Sequence, residues 1–477
     1  MVDRHIVYYL GSKIAAAIIN VLTMSVFLRV GGVETYGAYV VALALAFLIY
    51  GLTLQWLRFS FFASYRDDAT AHFITAYLVE LGAGLAVLSI TALITVLVGL
   101  VPARDAITVV LLVVGLAGYD AFHEIARTRL EAGAVAAGVM VRALLMLVLG
   151  TLALSIYGTP LSLATAVALA HFGAAVSLFW NLKGKVRGSW SSEAALDLWR
   201  YGRPLIPAYG LDAVGLQLDR LLMARYTSLS DTGSYGAVAD LIRQFMIVLS
   251  EAISGAYMAV ARSLAMAGRE QEAARVLGQA FLAYVALATF GAGFILRFKE
   301  PIFHSIFGSS VGQAVDPAVP LIVAATIFAV FRGYYFGSVL HIMRDSRLPL
   351  LSNGLSAAMV GLTGIFLVPA YGMVGAAAAL LFGHVSGCLA YVWTWRNSYV
   401  MRLPYAHALG VIGLGVAVYL VTGGLERVFG SRLDVLLVNA LLFMATSVFA
   451  ASRFNLLSFN DLSVRAWRLF VQRTEPR

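Results

Sequence analysis

Cysteine is nearly absent from this chain: Cys388 is the only one in 477 residues. No disulfide can form within the chain, and a thiolate metal centre is excluded, because structural sites draw on several Cys or His ligands. Charge is scarce as well, at 12% Asp, Glu, Lys and Arg, about half the share of an ordinary soluble domain. P-loop, HExxH and GxSxG patterns are all missing, so no residue pattern supports ATP hydrolysis or another enzymatic reaction. The opening MVDRHIVYYLGSKI has no small-residue cleavage site after its apolar run. It is expected to stay as a first membrane span rather than leave as a signal peptide.

What fills the chain is apolar: 61% of residues are hydrophobic and the mean hydropathy is +0.85. Lipid offers no partners to backbone N–H and C=O groups, so a chain of this composition crosses the bilayer as helices or as a closed barrel. The long unbroken apolar runs select helices, since barrel strands alternate over about ten residues. Runs of about 20 residues start with Ile6 to Phe27 and Tyr36 to Leu57 and reach a sixth at Trp180. A second six extends from Pro204 to Ala224, through Leu350 to Val368, to Val374 to Trp395. Ala406 to Thr422 and Val435 to Phe449 follow.

The expected architecture is an all-α polytopic membrane protein with about 14 spans. Residues 1–182 form an N-terminal six-helix lobe, 183–203 a cytoplasmic linker and 204–397 a C-terminal six-helix lobe, the two lobes enclosing a central cavity. Residues 398–451 supply two extra helices and 452–477 a cytoplasmic tail. SSEAALDLWRYGRP in the linker, and the tail with Leu456, Leu462, Trp467 and Phe470 among arginines, read as amphipathic segments at the membrane surface.

The formal net charge of +9 is first of all an orientation signal. With both termini inside, roughly 22 Lys and Arg fall on cytoplasmic segments and about 7 on outer ones, the bias of a correctly oriented chain. Arg58, Arg66, Arg127, Lys185, Arg187 and Arg344 are among the inner ones. No nucleic-acid partner is expected.

Two stretches repeat. RVGGVETYGAY, from Arg29, and RYTSLSDTGSYGAV, from Arg225, each place Tyr-Gly-Ala at the start of the following helix (Tyr36 to Ala38, Tyr235 to Ala237). YGTPLSLATAVALAH and YGMVGAAAALLFGH match in the same way and end in His171 and His384. Both histidines read as packed helix residues. Transporters made of such repeats carry substrate between their halves and rock one half against the other.

At these residues the chain resembles the polysaccharide transporter, or oligosaccharide flippase, family (Wzx-like) within the multidrug/oligosaccharidyl-lipid/polysaccharide exporter group. The resemblance rests on FLRVGGVETYGAYVVALA, LDRLLMARY, SYGAVADLIRQ, IFGSSVGQAVDPAVPLIVAA and VPAYGMVGAAAALLFGH, an ordered set covering nearly the whole chain. It implies 12 or 14 helices around a cavity open to one side at a time. It also implies a polyprenyl-diphosphate-linked sugar repeat unit as substrate, a bacterial inner-membrane location, and a place in exopolysaccharide, capsule or O-antigen synthesis beside a polymerase and export machinery.

Charges inside spans carry the chemistry, because each costs at least about 2.5 kcal/mol unless it faces a partner or a wet cavity. The cations are Lys13, Arg142, Arg220, Arg243 and Arg332, a set able to form a cationic cavity for a diphosphate through charge-assisted hydrogen bonds. The plainer reading pairs each with an acid, as Asp240 three residues before Arg243 invites. Among the acids, Glu80, Asp120, Glu124, Asp219 and Asp240 are candidates for ion coupling or gating, with Asp219 and Asp240 preferred and Asp120 to Arg127 reading as a structural cluster or gate. No cofactor is expected, and coupling would use H⁺ or Na⁺. A cation-coupled multidrug exporter of the same fold is the alternative, but it would want an acidic cavity. A membrane polysaccharide polymerase or ligase would want a large outer loop, whereas the longest here, Arg297 to Pro317, is short.

Overall fold

The computed structural model describes residues 2–66, 69–183, 188–339 and 347–456, with side chains from residue 11 onward. The readings placed on Lys185, Arg187, Arg344 and most of the tail lie outside the described residues. Among those described, the chain is helical throughout, as the lack of hydrogen-bonding partners in lipid requires. The expected all-α, polytopic architecture is observed.

The helices are α1 (Val2–Thr53), α2 (Gln55–Ser64), α3 (Thr70–Leu97), α4 (Ala103–Thr128), α5 (Ala132–Tyr157), α6 (Pro160–Leu182), α7 (Ser192–Gly202) and α8 (Ile206–Tyr226). There follow α9 (Leu229–Met266), α10 (Glu270–Ala286), α11 (Ala292–Phe307), α12 (Ser309–Val315), α13 (Val319–Val330), α14 (Arg347–Trp395), α15 (Tyr405–Phe429) and α16 (Leu433–Arg453). Eleven helical segments among the described residues are long and apolar enough to cross a membrane. Two of these, Gly11–Thr53 and Arg347–Trp395, are 43 and 49 residues long, enough for two crossings each at about 20 residues per crossing. Both are broken at a glycine with positive φ, Gly32 at 77° and Gly372 at 54°. One further crossing for each broken helix, and α8, whose 21 residues carry Asp212, Asp219, Arg220 and Arg225, bring the total to the fourteen read from the runs.

The break at Gly372 is a reversal. A Cβ on Gly375 would overlap the carbonyl oxygen of Leu367, yet eight residues along a straight helix separate groups by about 12 Å. The chain therefore folds back there, with the left-handed backbone at Gly372 that a side chain would oppose. Elsewhere the ends are conventional: Thr159 and Ser162 form a capping box ahead of α6, and Ser191 caps α7 by accepting from the Ala194 N–H at 3.3 Å.

One expectation is corrected. The segment from Arg297 to Pro317, read as an outer loop, is largely helical: α11 runs on to Phe307 and α12 follows after Gly308, at φ 90°. Its sequence is apolar enough (Ile302, Phe303, Ile306, Phe307, Val311, Val315) to bury one face, and Phe303, Phe307, Val311 and Val315 are buried.

The chain divides into two compact units. The first holds residues 1–241, 303–322 and 349–387. In it α7 lies against α2 and α3: the Trp199 ring meets Trp56 edge-on at 5.3 Å, Arg66 pairs with Asp197 at 3.4 Å, and Ala194, Leu198 and Gly202 are buried. Ala194 and Leu198 of the linker's amphipathic segment thus face protein, while Leu196, Trp199 and Tyr201 stay exposed. The turns that repeat in sequence also meet. Gly37 and Gly233 are in backbone contact, and a Cβ on Gly37 would overlap the Leu229 carbonyl, so only glycine allows α1 and α9 to cross this closely. The second unit holds residues 242–302, 323–348 and 388–477. Its core joins Leu282, Phe290, Phe298, Val411, Val418 and Phe443, and two π-helical turns, Leu287–Gly291 and Phe331–Phe336, interrupt its helices.

Candidate functional site

Each charge buried in a span must be neutralised, stacked or wetted, and the first unit treats its charges in three different ways.

The first treatment is full pairing on α4. Positions 120, 124 and 127 share one face. Arg58 of α2 donates to Glu124 Oε2 at 2.8 Å and lies 3.5 Å from Asp120 Oδ2. Arg127 donates to Glu124 Oε1 at 2.6 Å, and the Tyr50 hydroxyl donates to Asp120 at 3.1 Å. Glu124 has no exposed surface and both of its oxygens are engaged. In the sequence Arg58 reads only as an orientation signal. Its role as the clamp between α2 and α4 has no local signature, because its partners lie more than 60 positions away.

The second treatment is a pair with an acid left over. Arg220 of α8, 2% exposed, ion-pairs with Asp240 of α9. The neighbouring Asp219 is fully buried. Its Oδ2 accepts from the Tyr235 hydroxyl at 3.1 Å, while Oδ1 has no hydrogen-bond partner. Tyr36, the repeat counterpart of Tyr235, lies in the field of Asp240 and Arg220. Both tyrosines of the repeated motif thus face one charge cluster.

The third treatment leaves a cation without an acid. Arg142 of α5 lies over the Tyr119 ring at 5.1 Å, and its Nε is buried without a hydrogen bond. Among the described residues no carboxylate pairs with it. Tyr119 lies beside that charged face of α4, four residues before His123, and the two rings are 5.5 Å apart. His171 of α6 meets Tyr119 edge-on at 5.7 Å and hydrogen-bonds through Nδ1 to the Val167 carbonyl oxygen at 2.8 Å. The charges of Lys13 and Arg142 both act on Tyr119 and on His123. Tyr39 experiences Arg142 together with Asp240 and Arg220, which connects the second and third clusters. Tyr119 and Tyr39 are not singled out by the sequence. The i, i+4 spacing of Tyr119 and His123 is the signal available there.

Of the ten residues named from sequence, then, Arg142 stacks on Tyr119 with Lys13 within electrostatic reach of that ring, Arg220 and Asp240 pair beside Asp219, and Asp120 and Glu124 pair with Arg58. Glu80 on α3 stands apart from these groups, half-buried, with a buried Oε2 that has no hydrogen-bond partner. Arg243 and Arg332 belong to the second unit. Arg332 is buried in the π-helical turn Phe331–Phe336, where its charge reaches Cys388. His384, like His171, is buried within its helix.

No protein-family model and no curated protein matches the chain in sequence. Solved structures do match in fold. A structure described as the lipid II flippase MurJ in an inward closed conformation aligns with TM-score 0.72 at 13% identity, over 95% of this chain and 99% of that one. The eukaryotic MATE transporter AtDTX14 aligns with TM-score 0.54 at 15% identity, over 87% and 98%. A point mutant of the Vibrio cholerae MATE transporter VcmN aligns with TM-score 0.53 at 13% identity, over 84% and 98%. The chain has the fold these transporters share.

Proposed function

We propose that this protein is a flippase that moves polyprenyl-diphosphate-linked oligosaccharide repeat units across a bacterial inner membrane, with both termini cytoplasmic, as a step in exopolysaccharide, capsule or O-antigen assembly. The observation that carries this reading is Arg142: a guanidinium inside the membrane, stacked on Tyr119, with no carboxylate paired to it among the described residues. An arginine held that way is costly until an anion arrives, and a diphosphate offers the paired oxygens its planar fork fits. Fold likeness to MurJ, described as a lipid II flippase, supports a lipid-linked substrate, and the internal repeat supports two six-helix lobes working by alternating access.

Asp219 and Glu80 each keep a carboxylate oxygen without a partner. In this reading they couple ions together with Asp240, while Asp120 and Glu124 hold a gate. The same two acids, with MATE transporters among the fold neighbours, favour the second reading, a cation-coupled multidrug exporter. One reconstitution separates the two. Proteoliposomes carrying the protein are given a fluorescent polyprenyl-diphosphate sugar in one arm and a fluorescent organic cation in the other. The flippase reading requires movement of the first and not of the second. In cells, charge reversal at Arg142 or Arg332 is expected to stop glycan export while the protein still inserts, and normal polymer yield from both variants refutes the cationic path.

A further inference from the structure

A basic cavity lies in the second unit, at the C-terminal end of α15, and the transport reading makes no use of it. It measures about 430 Å³ and is lined by Arg297 of α11 with Tyr419, Leu420, Gly424, Glu426 and Arg427 of α15. That volume lies within the usual range for small-ligand sites, about 300 to 1,000 Å³. Arg297 is the fixed part of the wall. It donates to Glu426 Oε2 at 2.8 Å and to the Tyr419 carbonyl at 3.0 Å, and lies over the Tyr419 ring at 4.5 Å. Glu426 Oε1 accepts from the Ser431 hydroxyl at 3.0 Å, so both oxygens of the only acid in the wall are engaged. Nearby, Arg432 and Asp434 pair with each other at 3.3 Å. Arg427 remains, exposed and without an ion-pair partner among the described residues. The cavity therefore carries one uncompensated positive charge.

Its floor continues into an apolar track. Leu409, Ile412, Val416 and Leu420 are 40 to 68% exposed, and their spacing puts them on one face of α15. From Leu409 to Leu420 the track is about 16 Å long, close to the roughly 15 Å of one leaflet's hydrocarbon. Leu420 belongs both to the track and to the cavity wall.

We propose that this cavity holds the headgroup of an anionic phospholipid, its phosphate against Arg427 and the Arg297 edge, with one acyl chain along the α15 track. With both termini cytoplasmic, the lipid sits in the outer leaflet. A zwitterionic lipid would bring its own cation against Arg427, so the charge balance selects phosphatidylglycerol over phosphatidylcholine.

The test is native mass spectrometry of the full-length protein, released from detergent in the presence of either lipid. Wild-type protein is expected to retain one phosphatidylglycerol under activation that strips phosphatidylcholine. Arg427→Gln is expected to lower that retention about tenfold, the scale of one charge-assisted hydrogen bond. Gly424→Phe, placed where a Cβ meets nothing within 4 Å, is expected to plug the cavity and to abolish retention without changing the melting temperature. Equal retention of both lipids, or wild-type retention in both variants, overturns the proposal. Excess inorganic phosphate is added as a competitor. If it displaces the lipid completely, the site is one for free phosphate and the lipid assignment fails.

Discussion

Replacing Arg142 with Gln removes a charge that no acid in the fold requires. Because no carboxylate pairs with Arg142 among the described residues, the substitution strands no buried anion, and the folded protein loses only the contact with Tyr119 at 5.1 Å. That contact contributes about 1 kcal/mol, an amount offset by relief of placing a cation in a span. The melting temperature of Arg142→Gln is therefore expected to equal or exceed that of wild type. Binding is another matter. A guanidinium facing a diphosphate makes charge-assisted hydrogen bonds worth about 2 to 3 kcal/mol in all, and at 1.4 kcal/mol per factor of ten their loss weakens affinity by roughly 30- to 150-fold. Arg142→Lys keeps the charge but not the fork, and should fall between the two. The assay is transbilayer movement of a fluorescent polyprenyl-diphosphate sugar in proteoliposomes, titrated to give half-saturation, beside a thermal melt of the same preparation. If Arg142→Gln moves substrate with wild-type half-saturation, the argument is wrong. If it unfolds instead, Arg142 has a structural role that the geometry conceals.

Arg220 should behave in the opposite way. Arg220→Gln takes from Asp240 its ion pair with a buried guanidinium and is expected to cost about 3 kcal/mol of stability, the low end for a broken buried pair because Asp240 keeps 27% exposure; Arg220→Gln with Asp240→Asn should recover most of the lost melting temperature. Glu80→Gln removes a charge that has no hydrogen-bond partner at Oε2, so the melt should hold while dependence of transport on an imposed proton or sodium gradient disappears; unchanged gradient dependence excludes Glu80 as the coupling acid. Gly37→Val forces a side chain into the Leu229 carbonyl and should part the crossing of α1 with α9. In a Cys388→Ser background, Val40→Cys, at a position only 1% exposed, should then react with a membrane-impermeant thiol reagent only when Gly37→Val is also present.

The number of spans was legible because lipid leaves so few options: apolar runs of span length become helices, and the breaks inside α1 and α14 fall at Gly32 and Gly372, between runs. α8 was legible for the same reason despite its four charges, since Pro204 just ahead of it, Pro207 in its first turn and its length bounded it. The repeat was legible too, and Tyr36 and Tyr235 do face one cluster. Pairing was not. Along the chain Arg220 sits beside Asp219 and twenty positions from Asp240. The ion pair between Arg220 and Asp240 depends on the rotation of α8 and α9 about their axes, which no local spacing encodes. Arg58 is the same case at longer range. The helical continuation of α11 past Pro301 is hidden because a charged Arg-Phe-Lys-Glu stretch resembles a loop until one knows that Arg297 is answered by Glu426.

The three treatments of buried charge differ in what they allow to change. Glu124, held from two sides by Arg58 and Arg127, gains nothing from an approaching anion and resists losing either partner, so its cluster favours one arrangement of α2 and α4. Arg220 and Asp240 neutralise each other at little net gain over apolar packing. An anion close by competes with Asp240 for the guanidinium, and the pair is therefore exchangeable at modest cost. Arg142 alone is improved by an anion, since it has no carboxylate to surrender. An anionic headgroup passing through the first unit should thus meet Arg142 first in order of affinity, with Arg220 as the group to which it transfers when Asp240 is neutralised by a proton or a sodium ion. That order ties carboxylate chemistry to substrate movement without requiring the two to touch, and it predicts that Asp240→Asn, which removes the acid paired with Arg220, tightens diphosphate binding while removing its dependence on the gradient. Weaker binding in Asp240→Asn, with the fold intact, would show that Arg220 belongs to the scaffold and that the anion depends on Arg142 and Lys13.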